Sequence, residues 1–204
     1  MPRKNTVYRL DASDSYYHVY NRGVAKMDIF RDEEDYSHFE DLISKLLSPT
    51  EVRDKNGHLL KNYSNDIAIH AYCLMPNHFH FLIHQKTAKS LGLFIKSLTL
   101  SYSMRFNKKY GRAGNLLESR YKSVLIERDE HLMQVSRYIH LNPLGFRSWD
   151  HSSYSDYLYE PRPWITTSTI LDIFRTKKHY VAFMDDYKDN ESQADDLAAI
   201  FGDN

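Results

Sequence analysis

Cysteine is almost absent from this chain: Cys73 is the only one among 204 residues. An intrachain disulfide is thereby excluded, and the usage fits a reducing cytoplasm. Long apolar runs are absent too. Nothing approaches the ~18 residues of a membrane helix, and Met1 to Asn5 has no apolar stretch behind it, so neither a span nor a secretory leader is expected. Net charge is zero, with 27 Lys and Arg balancing 27 Asp and Glu, which argues against indiscriminate adhesion to polyanions. Repeats and low-complexity tracts are missing. A 42% hydrophobic content is enough for the core of one domain, or of one domain with an appendage.

The charge that is there is unevenly spread. Between Lys86 and Arg128 ten Lys and Arg face only Glu118 and Glu127, a net +8, whereas Asp185 to Asn204 carries a net −6. A basic middle suits a polyanion; it also suits a solvated helix face and its C-terminal turn.

Tyr16 to Asn21 reads as a strand closed by Asn21-Arg22-Gly23. Asp32 is placed to cap a helix carrying Tyr36, Phe39, Leu42, Ile43, Leu46 and Leu47 at helical spacing. Residues 48–66 form a long polar connection with room for a small hairpin. Ile67 to Leu74 reads as a second strand, and the tight Met75-Pro76-Asn77 link pairs it antiparallel with a third that begins at His78. Ser90 to Tyr110 is predicted helical and stopped by Gly111. Arg120 to Glu127 is a fourth strand, and Asp129 to Asn142 a helix stopped by Pro143. The order β-α-β-β-α-β-α predicts an α+β fold. It is a ferredoxin-like split βαβ antiparallel sheet, with an added helix crossing its other face. Residues 1–145 form the core, and 146–204 a mostly helical C-terminal extension with an acidic end.

The middle strand holds the least ordinary feature. In His78-Phe79-His80 the two imidazoles point to one face, about 6.6 Å apart at ~3.3 Å per residue, close enough to share one metal ion. A half-buried strand that happens to carry histidines reads the same way, and eleven histidines make chance pairs common. On the last predicted helix Tyr138 and Asn142 are four apart and share the edge of its apolar stripe. Two neutral imidazoles and a carboxamide oxygen can hold an ion that acts as a Lewis acid on a phosphodiester. A tyrosine hydroxyl, helped by a nearby cation or base, can attack phosphorus. Sixteen tyrosines and a helix-end asparagine have ordinary packing and capping readings as well. For DNA contact the candidates are Arg105, Lys108, Lys109, Arg112, Arg120 and Lys122, interleaved with Tyr102, Phe106, Tyr110 and Tyr121. His131 and Glu118 are candidates for the surroundings of the metal, with an ion pair such as one to Arg120 the plainer reading of Glu118. His70 and His84 read as structural. A His-x-His zinc hydrolase of the deubiquitinase kind needs a serine and an aspartate where Ala88 and Leu91 stand, and is set aside.

Leu74-Met75-Pro76-Asn77-His78-Phe79-His80, followed by Tyr138-Ile139-His140-Leu141-Asn142-Pro143, resembles the single-tyrosine HUH transposases. The likeness is strongest to the bacterial branch associated with repetitive extragenic palindromes (REP). Supporting pieces are Tyr17-His18-Val19-Tyr20-Asn21-Arg22-Gly23, Ile29-Phe30-Arg31-Asp32, the stretch from Gly114 to Ser123, and Trp149 with Ser152-Ser153-Tyr154 and Tyr157. The resemblance implies a metal-dependent single-stranded DNA endonuclease and strand transferase acting at hairpins or palindromes. It implies Mg²⁺ or Mn²⁺ as cofactor and a 5′-phosphotyrosine intermediate. Tyr138 matches the nucleophile, His78 and His80 the histidine pair, and Asn142 the third metal ligand. A cytoplasmic, nucleoid-associated protein follows. The short connection from Glu127 to Glu130 favours a tyrosine acting on its own chain's histidines, hence a monomer, with a homodimer left open. The alternative is a non-catalytic repressor or architectural protein on the same fold. Residues 48–66 look longer than the family core needs, and the acidic tail carries no motif of the family.

Overall fold

Alternation of side chains decides the sheet. In the computed structural model, which describes residues 12–54 and 56–186, four strands form: β1 (Ser15–Arg22), β2 (Ile67–Met75), β3 (His78–Gln85) and β4 (Lys122–Ile126). They lie in the order β2-β3-β1-β4, each pair antiparallel. This is the ferredoxin-like arrangement expected from the element order.

One face of the sheet meets two helices, α1 (Glu33–Leu46) and α2 (Ser90–Lys109). Asp32 caps α1, its side chain accepting from the Asp35 amide at 3.0 Å. Tyr17 and Val19 of β1 and Phe79, Phe81 and Ile83 of β3 meet Phe39, Ile43, Phe94 and Leu98 in this first core. Each fully buried side chain of this size contributes roughly 1.5–3 kcal/mol. The alternate residues of the same strands face α3 (Asp129–Leu141), which packs on β2 and β3. Leu132, Val135 and Ile139 of α3 close over Ala71, Cys73 and Leu82 in a second core. In β2 the register slips by one residue between Ile69 and Ala71. The extra residue, His70, lets Ile69 and Tyr72 both reach the first core.

Three short helices complete the described chain: α4 (Tyr154–Leu158), α5 (Ser168–Phe174) and α6 (Lys177–Asp185). The helices join the second core, and the connection between α4 and α5 joins the first. Tyr154, Tyr157, Ile170, Tyr180 and Met184 enlarge the second, while Trp164 and Ile165 enter the first. The connecting backbone also runs along the outer edge of β2. Leu74 N–H donates to the His151 carbonyl at 2.9 Å, Ser153 N–H to the Tyr72 carbonyl at 3.0 Å, and Thr166 N–H to the Ile69 carbonyl at 2.9 Å. The connection at 48–66 holds one bridge, between Arg53 and Leu59. It is anchored by buried Tyr63, whose hydroxyl lies 2.8 Å from Ser97 Oγ on α2. The acidic tail past Asp186 lies outside the described residues. No helix among the described residues is long and apolar enough to cross a membrane.

Candidate active site

The polar part of the α3 face lies at the end of β3 that follows the Met75-Pro76-Asn77 turn. Strand register sets His78 opposite Arg22 and His80 opposite Tyr20. The two imidazoles meet edge to face, ring centroids 4.9 Å apart.

His78 is oriented from behind. Asn77 Nδ2 donates to the Lys26 carbonyl at 3.3 Å, which turns Asn77 Oδ1 toward His78 Nδ1, 2.6 Å away. A carboxamide oxygen only accepts, so Nδ1 carries the proton; in the neutral ring, the form a metal ligand takes, Nε2 then keeps its lone pair. That Nε2 lies 3.1 Å from Asn142 Oδ1. A protonated His78 would donate Nε2–H to that oxygen; with the ring neutral, either the Asn142 amide turns its Nδ2 inward to donate or a cation lies against both lone pairs. Two ligands at ~2.1 Å and a right angle around an octahedral ion stand ~3.0 Å apart, so the spacing fits a small divalent ion. His80 is fully buried, and its Nδ1 lies 3.0 Å from His18 Nε2. Burial, with His18 and His78 adding to it, holds its pKa well below the ordinary histidine value. His80 is therefore neutral at physiological pH, as a metal ligand must be. If His80 Nδ1 donates to His18, the lone pair sits on Nε2, the usual division between an orienting partner and an ion. Among the described residues no group of three or more His, Cys, Asp and Glu side chains is placed to hold a metal. The candidate set is two imidazoles and the Asn142 carboxamide.

Tyr138 stands over His80 and its partner His18. From α3 its ring meets His80 at 5.6 Å and His18 at 5.7 Å, both edge to face. Asn142, one turn further on, follows the last residue of the helix. Beside His78 opens a cleft of about 220 Å³ lined by Tyr20, Arg22, Lys26, Glu118 and Lys122 among others. Glu118 pairs with Arg22 at 2.7 Å, not with Arg120, because residues 117–118 run beside the end of β1. Lys122 Nζ lies 5.4 Å above the Tyr20 ring, and that ring stacks on both His18 and His80.

The other candidates are dispersed. Arg105 pairs with Glu34, and Lys109 with Asp32, Glu34 and Asp35 at 2.7–3.0 Å, so both tie α2 to the acidic start of α1. Arg112 donates to Asn107 at 3.0 Å and lies over Phe106. Lys108 and Arg120 are exposed. His131 sits in the first turn of α3, two turns before Tyr138, and makes no side-chain hydrogen bond or ion pair to the site among the described residues. His84 pairs with Asp14 at 2.8 Å, and His70 Nδ1 contacts the Thr166 carbonyl at 2.8 Å; both serve the far end of the sheet.

Sequence reasoning gave no role to two buried histidines. His18 is the partner of His80, and its signal is a histidine on the i, i+2 alternation of β1, in phase with Tyr16 and Tyr20. His140, between Tyr138 and Asn142 in sequence, points inward. Its Nδ1 meets Tyr180 Oη and its Nε2 meets Ser153 Oγ, each at 2.7 Å. Burial pushes its pKa down to about 3. It locks α3 to α6 and to the covered edge of β2, and so fixes the rotation of α3 that carries Tyr138 over the histidines.

No curated protein matches this sequence. Among solved structures, one REP-associated tyrosine transposase bound to a REP hairpin superposes with a TM-score of 0.56 at 12% identity, over 76% of this chain and 85% of its own. At that identity the likeness speaks for the fold alone. A transposase of Deinococcus radiodurans, at 17% identity, covers 67% of this chain and 95% of its own, but with a TM-score of 0.40 it carries no argument. The family whose sequence pattern matches is described as transposase IS200 like, and the match spans residues 11–142. That span runs from the approach to β1 through both histidines and the tyrosine and ends at Asn142. The chain belongs to the IS200-like transposase family.

Proposed function

We propose that this protein is a divalent-metal-dependent single-stranded DNA endonuclease and strand transferase, acting at hairpin or palindromic ends through a 5′-phosphotyrosine. One observation carries the reading: Tyr138 packs over His18 and His80 while Asn142 Oδ1 lies 3.1 Å from His78 Nε2. A nucleophile, two imidazoles and a carboxamide oxygen meet in one patch. His78, His80 and Asn142 would hold Mg²⁺ or Mn²⁺, which when bound supplies Lewis-acid activation of the scissile phosphate.

The chain's own groups do the rest. Tyr138 Oη forms the new bond to phosphorus as the P–O3′ bond breaks. The phenol loses its proton and the departing 3′ oxygen gains one, leaving a 5′-phosphotyrosine and a free 3′-hydroxyl. Attack by a 3′-hydroxyl on that linkage restores the tyrosine and joins a strand without external energy. Asn77 and His18 hold the two histidines in the tautomers the site needs. Lys122, Lys26 and Arg22 give the adjoining cleft the positive charge a phosphate requires, while Arg120, Lys108 and Arg112 lie outside that cleft and would meet DNA away from the scissile phosphate. The superposed REP-associated transposase, bound to a REP hairpin, supports a hairpin as the substrate class. All four groups stand on one chain, which supports a tyrosine acting in cis and a catalytically competent monomer.

The test is covalent capture. With Mn²⁺ and labelled single-stranded DNA bearing the inverted repeats that flank the gene, the protein should form a denaturant-resistant adduct. Tyr138→Phe should form none while binding that DNA within a few-fold of wild type. Tight binding with no adduct from wild type would leave a DNA-binding protein without catalysis; an adduct in Tyr138→Phe would move the nucleophile elsewhere.

A further inference from the structure

A second concavity adjoins the site and has no role in the chemistry above. It is a groove of about 1070 Å³ between the outer face of α2 and the segment from Gly114 to Tyr121. It meets the cleft beside His78 at Asn21 and Ser119, which line both and are joined by a 3.1 Å hydrogen bond.

The outer face of α2 is unusual for a surface helix. Its inner stripe, Leu91, Phe94, Ile95, Leu98, Tyr102 and Phe106, is buried in the first core as the fold requires. Its outer stripe should then be polar. Instead Leu93, Leu100 and Met104 stand 53%, 54% and 66% exposed along the groove, and nothing in the fold calls for them there. Three cations accompany them, Lys89, Lys96 and Arg120, and no carboxylate lines the groove among the described residues. Nor do those three make an ion pair among the described residues, in contrast to Arg105 and Lys109 on the same helix.

We propose that this groove is the track for an unpaired DNA strand leading to or from the scissile phosphate. Bases lie against Leu93, Leu100 and Met104, and the phosphates run past Lys89, Lys96 and Arg120. Exposed apolar faces with phosphates at regular intervals are what single strands offer and duplexes hide. The charge favours a polyanion over a second protein helix, which would bring its own mixture of signs. Continuity with the cleft favours the strand being cut over an unrelated ligand. The proposal rests on the single-stranded DNA reading of the neighbouring site, and it assigns that strand a path.

Fluorescein-labelled oligo(dT), followed by anisotropy at several salt concentrations, tests it without needing the natural sequence. Leu100→Ser with Met104→Gln should weaken binding about tenfold, by removing apolar area that the bases would cover. Lys96→Gln with Arg120→Gln should weaken it and flatten the salt dependence by nearly two phosphate contacts. These side chains are exposed, so melting temperatures should stay at the wild-type value. Unchanged oligo(dT) affinity in both double variants overturns the track, even if covalent adducts still form and the proposed chemistry stands. Groove-dependent oligo(dT) binding with no Tyr138 adduct on any strand would keep the track and remove the chemistry. If Leu100→Ser with Met104→Gln instead turns a dimer into a monomer and leaves affinity intact, the stripe joins two copies of the chain and the proposal falls.

Discussion

The two faces of the sheet are built from the same strands and do opposite work. Toward α1 and α2, β1 and β3 present Tyr17, Val19, Phe79, Phe81 and Ile83, all at or below 1% exposure. Toward α3 the alternate residues include His18, Tyr20, His78 and His80, with Leu82 beyond them in the second core. A strand shows alternate residues to opposite sides, so five buried anchors fix the backbone that carries the four polar groups beside them. The lesson is that the site borrows its rigidity. The His80 backbone cannot shift without moving Phe79 and Phe81, and neither phenylalanine can move without opening the core.

Breaking that comparison on the dry side should have the largest effect. Phe81→Ala should cost about 3–5 kcal/mol of unfolding free energy, read by urea denaturation, and should take activity with it only as the folded fraction falls. An acid challenge comes next and probes the face of α3. In the folded chain burial pushes His140 down to about 3 and His70 down to about 4, whereas the unfolded chain protonates near pH 6.5. The unfolded state therefore binds more protons between those limits. The stability these groups contribute is full above pH ~6.5 and is lost as pH falls through that window, a change on the order of several kcal/mol. Melting temperatures measured from pH 7 to pH 4 should drop steeply, and His140→Gln, less stable at pH 7, should flatten the drop. A pH-independent wild type would mean that His140 is not held neutral.

Smaller effects on stability should appear on the histidine side, where activity falls further than folding. His18→Phe keeps the bulk but removes the partner of His80 Nδ1. Adduct formation should fall about 10–100-fold at limiting Mn²⁺, partly rescued by excess metal, while unfolding free energy falls by only about 1–3 kcal/mol for the buried hydrogen bond lost. Asn77→Ala should act through His78 in the same way and cost less, about tenfold, because one orienting hydrogen bond is lost from a half-exposed turn.

Much of this arrangement was legible in the residues. The strands and helices follow from period-2 and period-3.6 patterns, and the α3 crossing from an added helix with one apolar face. His78 with His80, and Tyr138 with Asn142, announce themselves because each pair shares a face of one element. What was not legible depends on register between distant elements. His18 becomes the neighbour of His80 only through the β1–β3 pairing, 62 positions apart. Arg105 and Lys109 looked like DNA contacts in a basic run, but the packing of α2 on α1 sets them against Glu34 and Asp32. Glu118 found Arg22 because residues 117–118 return to β1. Sequence spacing finds partners within an element; long-range pairing selects among the rest.

The backbone that lies along β2 has a consequence for the isolated molecule. β2 is a nine-residue strand, Ile67–Met75, with eight residues buried, the kind of sequence that recruits other strands when its rim is open. The segments at 151–153 and 165–166 occupy that rim. A chain ended at Gly145 would keep every residue of the chemistry yet bare an adhesive, hydrogen-bond-hungry margin. It should precipitate rather than cut, and solubility would be lost before catalysis could be measured.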